Sequence, residues 1–133
     1  MIVLDEQLLG RHIERDIAKW YRGTVQCIID LHPNSIIKDD AIPELLRTQS
    51  QPTFVTINEQ DFWRKVKADM RFCVVCFAIP DTRAREIPQS LRLLLQRADF
   101  RTKARRMGKV IRVSHQDVRY YTVPNSQIHI SPF

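Results

Sequence analysis

The sequence predicts an α/β domain, a three-layer sandwich around a mostly parallel central sheet of about five strands. Three observations predict it. Short apolar runs alternate with stretches of helical periodicity along most of the chain, the pattern of βαβ units. The first three of those runs are each followed closely by acidic residues. The 133 residues, 44% hydrophobic and 27% charged, have globular composition and suffice for one core. Residues 1–123 are read as the domain and 124–133, which show little periodicity, as a loose C-terminal tail.

Ile2-Val3-Leu4 followed at once by Asp5-Glu6 is a buried parallel strand with an emerging polar end. From Leu8 to Trp20 the period changes: Leu9, Ile13, Ile17 and Trp20 recur at three and four, which predicts an amphipathic helix stopped near Gly23. Thr24–Ile29 is a second strand ending at Asp30, and Pro33, Asn34 and Ser35 mark a loop. Asp39 or Asp40 is placed to cap a short helix carrying Ile42, Leu45 and Leu46. Thr53–Ile57 is a third strand, and Asn58 caps the helix of Phe62, Trp63 and Val66. Phe72–Ile79 is a fourth strand. A longer helix follows, with Ile87, Leu91, Leu94 and Leu95 on one side and a basic continuation from Arg101 to Arg106. Val110, Ile111 and Val113 suggest a fifth strand, with Val118–Val123 pairing back as a hairpin.

Cys73 and Cys76 have a C-x-x-C spacing, but on a strand residues three apart point to opposite faces, so they are expected to be small core side chains, not ligands of one metal. The four histidines are scattered without an i, i+4 pair, and there is no nucleophile elbow, Walker loop or dinucleotide fingerprint. No apolar run approaches the roughly 18–20 residues of a membrane span. The opening Met1–Glu6 has neither the basic region nor the cleavage site of a signal peptide, so a cytoplasmic protein without a membrane partner is expected.

In an open α/β sheet, ligands bind beyond the carboxyl ends of the strands. There this sequence delivers Asp5 and Glu6, then Asp30, Asp39 and Asp40, then Asn58, Glu59 and Asp61. Clustered carboxylates repel unless a cation sits among them. Magnesium accepts two or three carboxylates and keeps its remaining waters. Capping of the following helices is the alternative use of Asp39, Asp40, Asn58 and Asp61. It suits Asp5 less, because a charge at the end of a buried strand is costly without a partner.

Leu4-Asp5-Glu6-Gln7-Leu8 resembles the "L-D-E-N-L" opening of PIN-like domains similar to VapC-type toxins. Lys38-Asp39-Asp40-Ala41-Ile42 resembles their "S-D-E-E-I" segment, Val55–Phe62 their "V-T-x-D-x-D-F" motif, and Val110–Val113 with Val118-Arg119 their closing strands. The resemblance runs roughly from Met1 to Val123. It implies a PIN-like fold and Mg2+- or Mn2+-dependent endoribonuclease chemistry, with an antitoxin protein as a partner. It further implies Asp5, Asp40 and Asp61 as metal-binding residues, with Asp39 as the alternative in the second segment; all four are the expected catalytic set. There are two departures: Gln7 stands for the usual asparagine, and Asn58, with one extra residue before Asp61, stands where an aspartate is usual and lowers the local negative charge. They keep a second reading in view, a non-catalytic nucleic-acid- or protein-binding module. A phosphoacceptor receiver-like domain is a third, opposed by Ser114-His115 where such a domain has a lysine.

The net charge of +6 favours an acidic partner, and single-stranded or structured RNA is the one expected. Arg101, Lys103, Arg105 and Arg106 form the densest basic run, and Arg83 and Arg85 follow the fourth strand; all six are expected to hold phosphates. A homodimer is a further expectation. Trp20, Phe62 and Trp63 are expected in the core, and one of the adjacent Tyr120 and Tyr121 should face outward.

Overall fold

A computed structural model of the chain describes residues 1–31, 39–124 and 127–133. One sheet runs through it, with strands β1 (Ile2–Leu4), β2 (Val25–Cys27), β3 (Thr53–Thr56), β4 (Cys73–Phe77), β5 (Lys109–Val113), β6 (Asp117–Thr122) and β7 (His129–Pro132). Their order across the sheet is β2-β1-β3-β4-β5-β6-β7. The first five in that order pair in parallel, and β6 and β7 add on antiparallel. The α/β class and the mostly parallel sheet are as expected, but among the described residues the sheet has seven strands, not about five. The last strand lies within residues read as tail. Its pairing is made by backbone bonds and by Arg97, which donates to Ser131 and to the Pro132 carbonyl, so no hydrophobic period announces it.

Among the described residues five short helices connect the strands: α1 (Ile13–Ala18), α2 (Ile42–Arg47), α3 (Glu59–Phe62), α4 (Ile87–Leu95) and α5 (Lys103–Arg106). Strand alternation divides the interior in two. Ile2, Leu4, Val55, Cys73, Val75 and Ile111 face a core closed by Ile13 and Ile17 of α1 and by Ile87, Leu91 and Leu94 of α4. Val3, Phe54, Val74, Cys76 and Val110 face the other core, closed by Ile42 and Leu46 of α2 and Phe62 of α3. The two thiols of the C-x-x-C spacing thus lie in opposite cores, as the strand period requires.

The helix expected from Leu8 to Trp20 is broken. A 3-10 turn covers Glu6–Leu8, and α1 starts only at Ile13, because Gly10 and His12 take positive φ between them. Leu9 is left exposed as a result. The basic continuation of α4 is likewise separate, with Thr102 capping α5 through the Arg105 N–H. Ala41 stands at the N-cap of α2 with Pro43 in the first turn, so Asp40 does not occupy the cap expected of it. The loop expected at Pro33, Asn34 and Ser35 lies outside the described residues, as does the Asp39 side chain. No helix among the described residues is long and apolar enough to cross a membrane.

Candidate site at the carboxyl edge of the sheet

β1 carries Asp5 out of the core, and the strand partner fixes it there: the Asp5 N–H donates to the Val55 carbonyl at 2.9 Å. The residue is only 2% exposed. Its Oδ2 accepts the Thr56 hydroxyl at 2.6 Å, and the same Oγ1 accepts the Asn58 N–H at 2.9 Å. Burial pushes the Asp5 carboxyl above the ordinary carboxylate range. The Thr56 hydroxyl and the Glu6 N–H pull it back, and the charges of Glu6 and Asp61 add to the rise. Among the described residues no Lys, Arg or His pairs with it. Thr56, the last residue of β3, was not anticipated as a site residue. Its signal is a hydroxyl at the carboxyl end of a strand whose middle, Phe54-Val55, is apolar.

The one-turn helix α3 divides this edge into two clefts. Asn58 caps it as expected, with Oδ1 accepting the Asp61 N–H at 3.2 Å while Nδ2 donates to Asp61 Oδ2 at 2.6 Å. On one side a cleft of about 600 Å³ is lined by Asp40, Asp61, Arg47, Lys65 and Lys67, so Asp40 and Asp61 share one opening. On the other a cleft of about 570 Å³ is lined by Gln7, Arg11, Asn58, Glu59, Gln60 and Asp81. Glu59 is engaged by the Arg112 Nε from β5, and Arg11 bridges to Asp81 at 2.6 Å. Asp30 turns back locally, its Oδ2 accepting the Cys27 N–H at 3.4 Å.

The oxygen donors around Asp5 and Asp61 suit a hard divalent cation in kind, and two carboxylates suffice for an ion that keeps its waters. Among the described residues no three carboxylate, thiol or imidazole groups gather at one point. The sequence-predicted acids therefore fall into a buried member, Asp5, and an open pair, Asp40 and Asp61. Asp39 contributes only its backbone to the description, at the start of the 3-10 turn Asp39–Ala41.

The basic residues separate into two groups. Arg83 and Arg85 follow β4 at the carboxyl edge, Arg85 exposed and Arg83 bound by the Glu86 carboxylate beside His115. Arg101, Lys103, Arg105 and Arg106 lie at the opposite, amino edge, where Arg106 donates to Thr53, the first residue of β3. Arg106 is 4% exposed and its guanidinium also bonds the Phe100 and Arg101 carbonyls, so it joins α5 to the sheet rather than presenting a free cation. Arg47, Lys65 and Lys67 are the cations the structure brings beside Asp40 and Asp61, and they were missed because they are dispersed along the sequence. Tyr121 is buried, while Tyr120 is partly covered by the His129 ring stacked on it at 4.8 Å. Set against protein-family models, curated proteins and solved structures, the chain matches none of them.

Proposed function

We propose that the chain is a divalent-metal-dependent endoribonuclease of the PIN-like kind, acting at the carboxyl edge of its sheet. The observation that carries the reading is Asp5: a carboxylate held under the surface, oriented by a hydroxyl and lacking a cationic partner among the described residues. Such a group needs either a proton or a cation. Asp5 and Asp61 would hold Mg2+ or Mn2+, with Asp40 reaching it from the shared cleft. A divalent ion bound there would supply an acidified water as nucleophile and a counter-charge for the phosphodiester. The chain's own part is positional. Thr56 fixes the Asp5 carboxylate, Asn58 fixes Asp61, and Arg47, Lys65 and Lys67 offer cations to an RNA backbone entering the cleft.

A non-catalytic binding module is the second reading. What favours it is that Asn58 already holds the Asp61 carboxylate and Arg112 holds Glu59. Manganese titration separates the two. Under the nuclease reading, manganese at a hundredfold excess over its Kd stabilises wild type by about 2.7 kcal/mol. Asp5→Asn should fold, lose at least about tenfold in metal affinity, and stop cleaving single-stranded RNA. Wild type that gains no thermal stability from manganese and cleaves no RNA overturns the nuclease reading in favour of the binding module.

A further inference from the structure

The amino edge of the sheet carries a further cavity, of about 450 Å³, lined by Trp20, Tyr21, Arg92, Gln96, Arg101 and Lys103, with Leu95 and Arg106 behind. It forms where the end of α1, the end of α4 and the start of α5 converge ahead of the strands. Its wall has four cationic side chains and no carboxylate. Among the described residues none of the four is paired with an acid elsewhere. Some of this charge has an internal use: Arg101 donates to the Gln96 carbonyl just past α4, and Arg106 is bound inward. Arg92 and Lys103 remain exposed. A separate observation concerns the same wall. The Trp20 indole N–H is buried and has no acceptor, the sole such side-chain atom among the described residues. Buried donors are nearly always satisfied; this one has almost no accessible surface, so the polar contacts the wall offers an occupant are those of its cationic side chains.

We infer that this cavity is an anion site for a phosphate monoester of nucleotide size, with Arg92, Arg101 and Lys103 as its charge partners. The volume is that of a small-molecule site. Arginine and lysine together favour phosphate oxygens, the one through its fork and the other as a point charge. Trp20 and Tyr21 give the wall an aromatic side against which a base can lie. The site is independent of the carboxyl edge, since Arg106 ties its floor to Thr53, at the other end of β3 from Thr56.

The test uses Trp63→Phe as background, so that Trp20 alone reports by fluorescence. Adenosine 5′-monophosphate, inorganic phosphate and adenosine are titrated in turn. The monophosphate should give a saturable change, phosphate a weaker one, and adenosine none. Adding Arg92→Ala and Lys103→Ala together should weaken monophosphate binding by about tenfold or more. Because both side chains are exposed, the melting temperature should hold. Arg85→Ala, at the far edge, and Asp5→Asn should leave the titration unchanged, so this proposal and the nuclease reading fail separately. Absence of a saturable change with the monophosphate, equal binding of adenosine, or unaltered binding in the double variant overturns the assignment.

Discussion

Tyr121 shows how far one residue's environment departs from what its neighbours in sequence suggest. It sits on β6 beside Tyr120, but its ring packs against Trp63 with centroids 5.2 Å apart, and its hydroxyl donates to the Val66 carbonyl. Burial, followed by the nearby Cys76 thiol, pushes the phenol up to about 12. The neutral phenol is the form the fold favours. Its contribution is therefore complete below the ordinary tyrosine value and is lost as pH rises through about 12. In a phenolate absorbance titration one of the three tyrosines should ionise last, near the alkaline limit of stability. Tyr121→Phe should abolish that step and cost roughly 1 kcal/mol, since the Val66 carbonyl loses its donor. An unchanged last step in the variant would reassign it. At this scale the sequence was informative where a side-chain period decides the outcome: Cys73 and Cys76 part to opposite cores, and one tyrosine of the pair turns inward. It was silent where a partner comes from a distant segment, as for Thr56 at Asp5 or Val66 at Tyr121.

Among the elements, α5 is the clearest case of charge read one way and used another. Four residues long, it has too few internal bonds to stand alone. Thr102 caps its start, and Arg106 closes its end through Thr53, Phe100 and Arg101. Arg106→Met keeps much of the bulk and removes every donor, leaving two carbonyls and a buried hydroxyl short of a partner. A loss on the order of 2–3 kcal/mol is expected in denaturant unfolding. Arg106→Lys should not restore it, because one ammonium cannot span a fork of three acceptors. Arg105→Ala, which removes a bond to the Ala98 carbonyl from an exposed side chain, should cost about 1 kcal/mol or less. Equal effects at the two positions would remove Arg106 from its joining role. A run of basic residues marks a helix end or a surface with equal ease in sequence. Only the turn at Phe100, which sends the chain back toward β5, decides which arginine points inward. The same limit applies to α1, whose apolar period extends past the point where Gly10 and His12 break the helix.

For the whole molecule, alternation of strands and helices made the α/β class legible, and the apolar faces made the two cores legible. The order of strands was not, because it rests on backbone pairing between segments far apart in sequence. The β7 edge follows from that order. It covers β6, stacks His129 on Tyr120 and leaves Ile130 62% exposed. Pro132 and Arg97 blunt it, since a proline offers no donor to a further strand and the arginine occupies its carbonyl. Deleting residues 128–133 bares β6. The truncated chain should melt several degrees lower, at about 4 °C per kcal/mol, and should self-associate with rising concentration in sedimentation. A truncated chain that stays monomeric at unchanged stability would show that β7 neither protects nor supports the sheet.

The placement of Thr53 and Thr56 at opposite ends of β3 sets a length scale. One hydroxyl meets the arginine behind the amino-edge cavity, and the other meets the buried carboxylate. The two threonines are three residues apart on that strand, and at about 3.3 Å per residue they stand roughly 10 Å from each other. Under the nuclease proposal and the anion-site proposal taken together, an oligonucleotide held by its terminal phosphate at one end of the sheet and cut at the other would have to bridge that span around the outside of the domain. The length of β3 would then act as a ruler under those two proposals, setting the shortest RNA that could occupy both ends and the distance from terminus to cut.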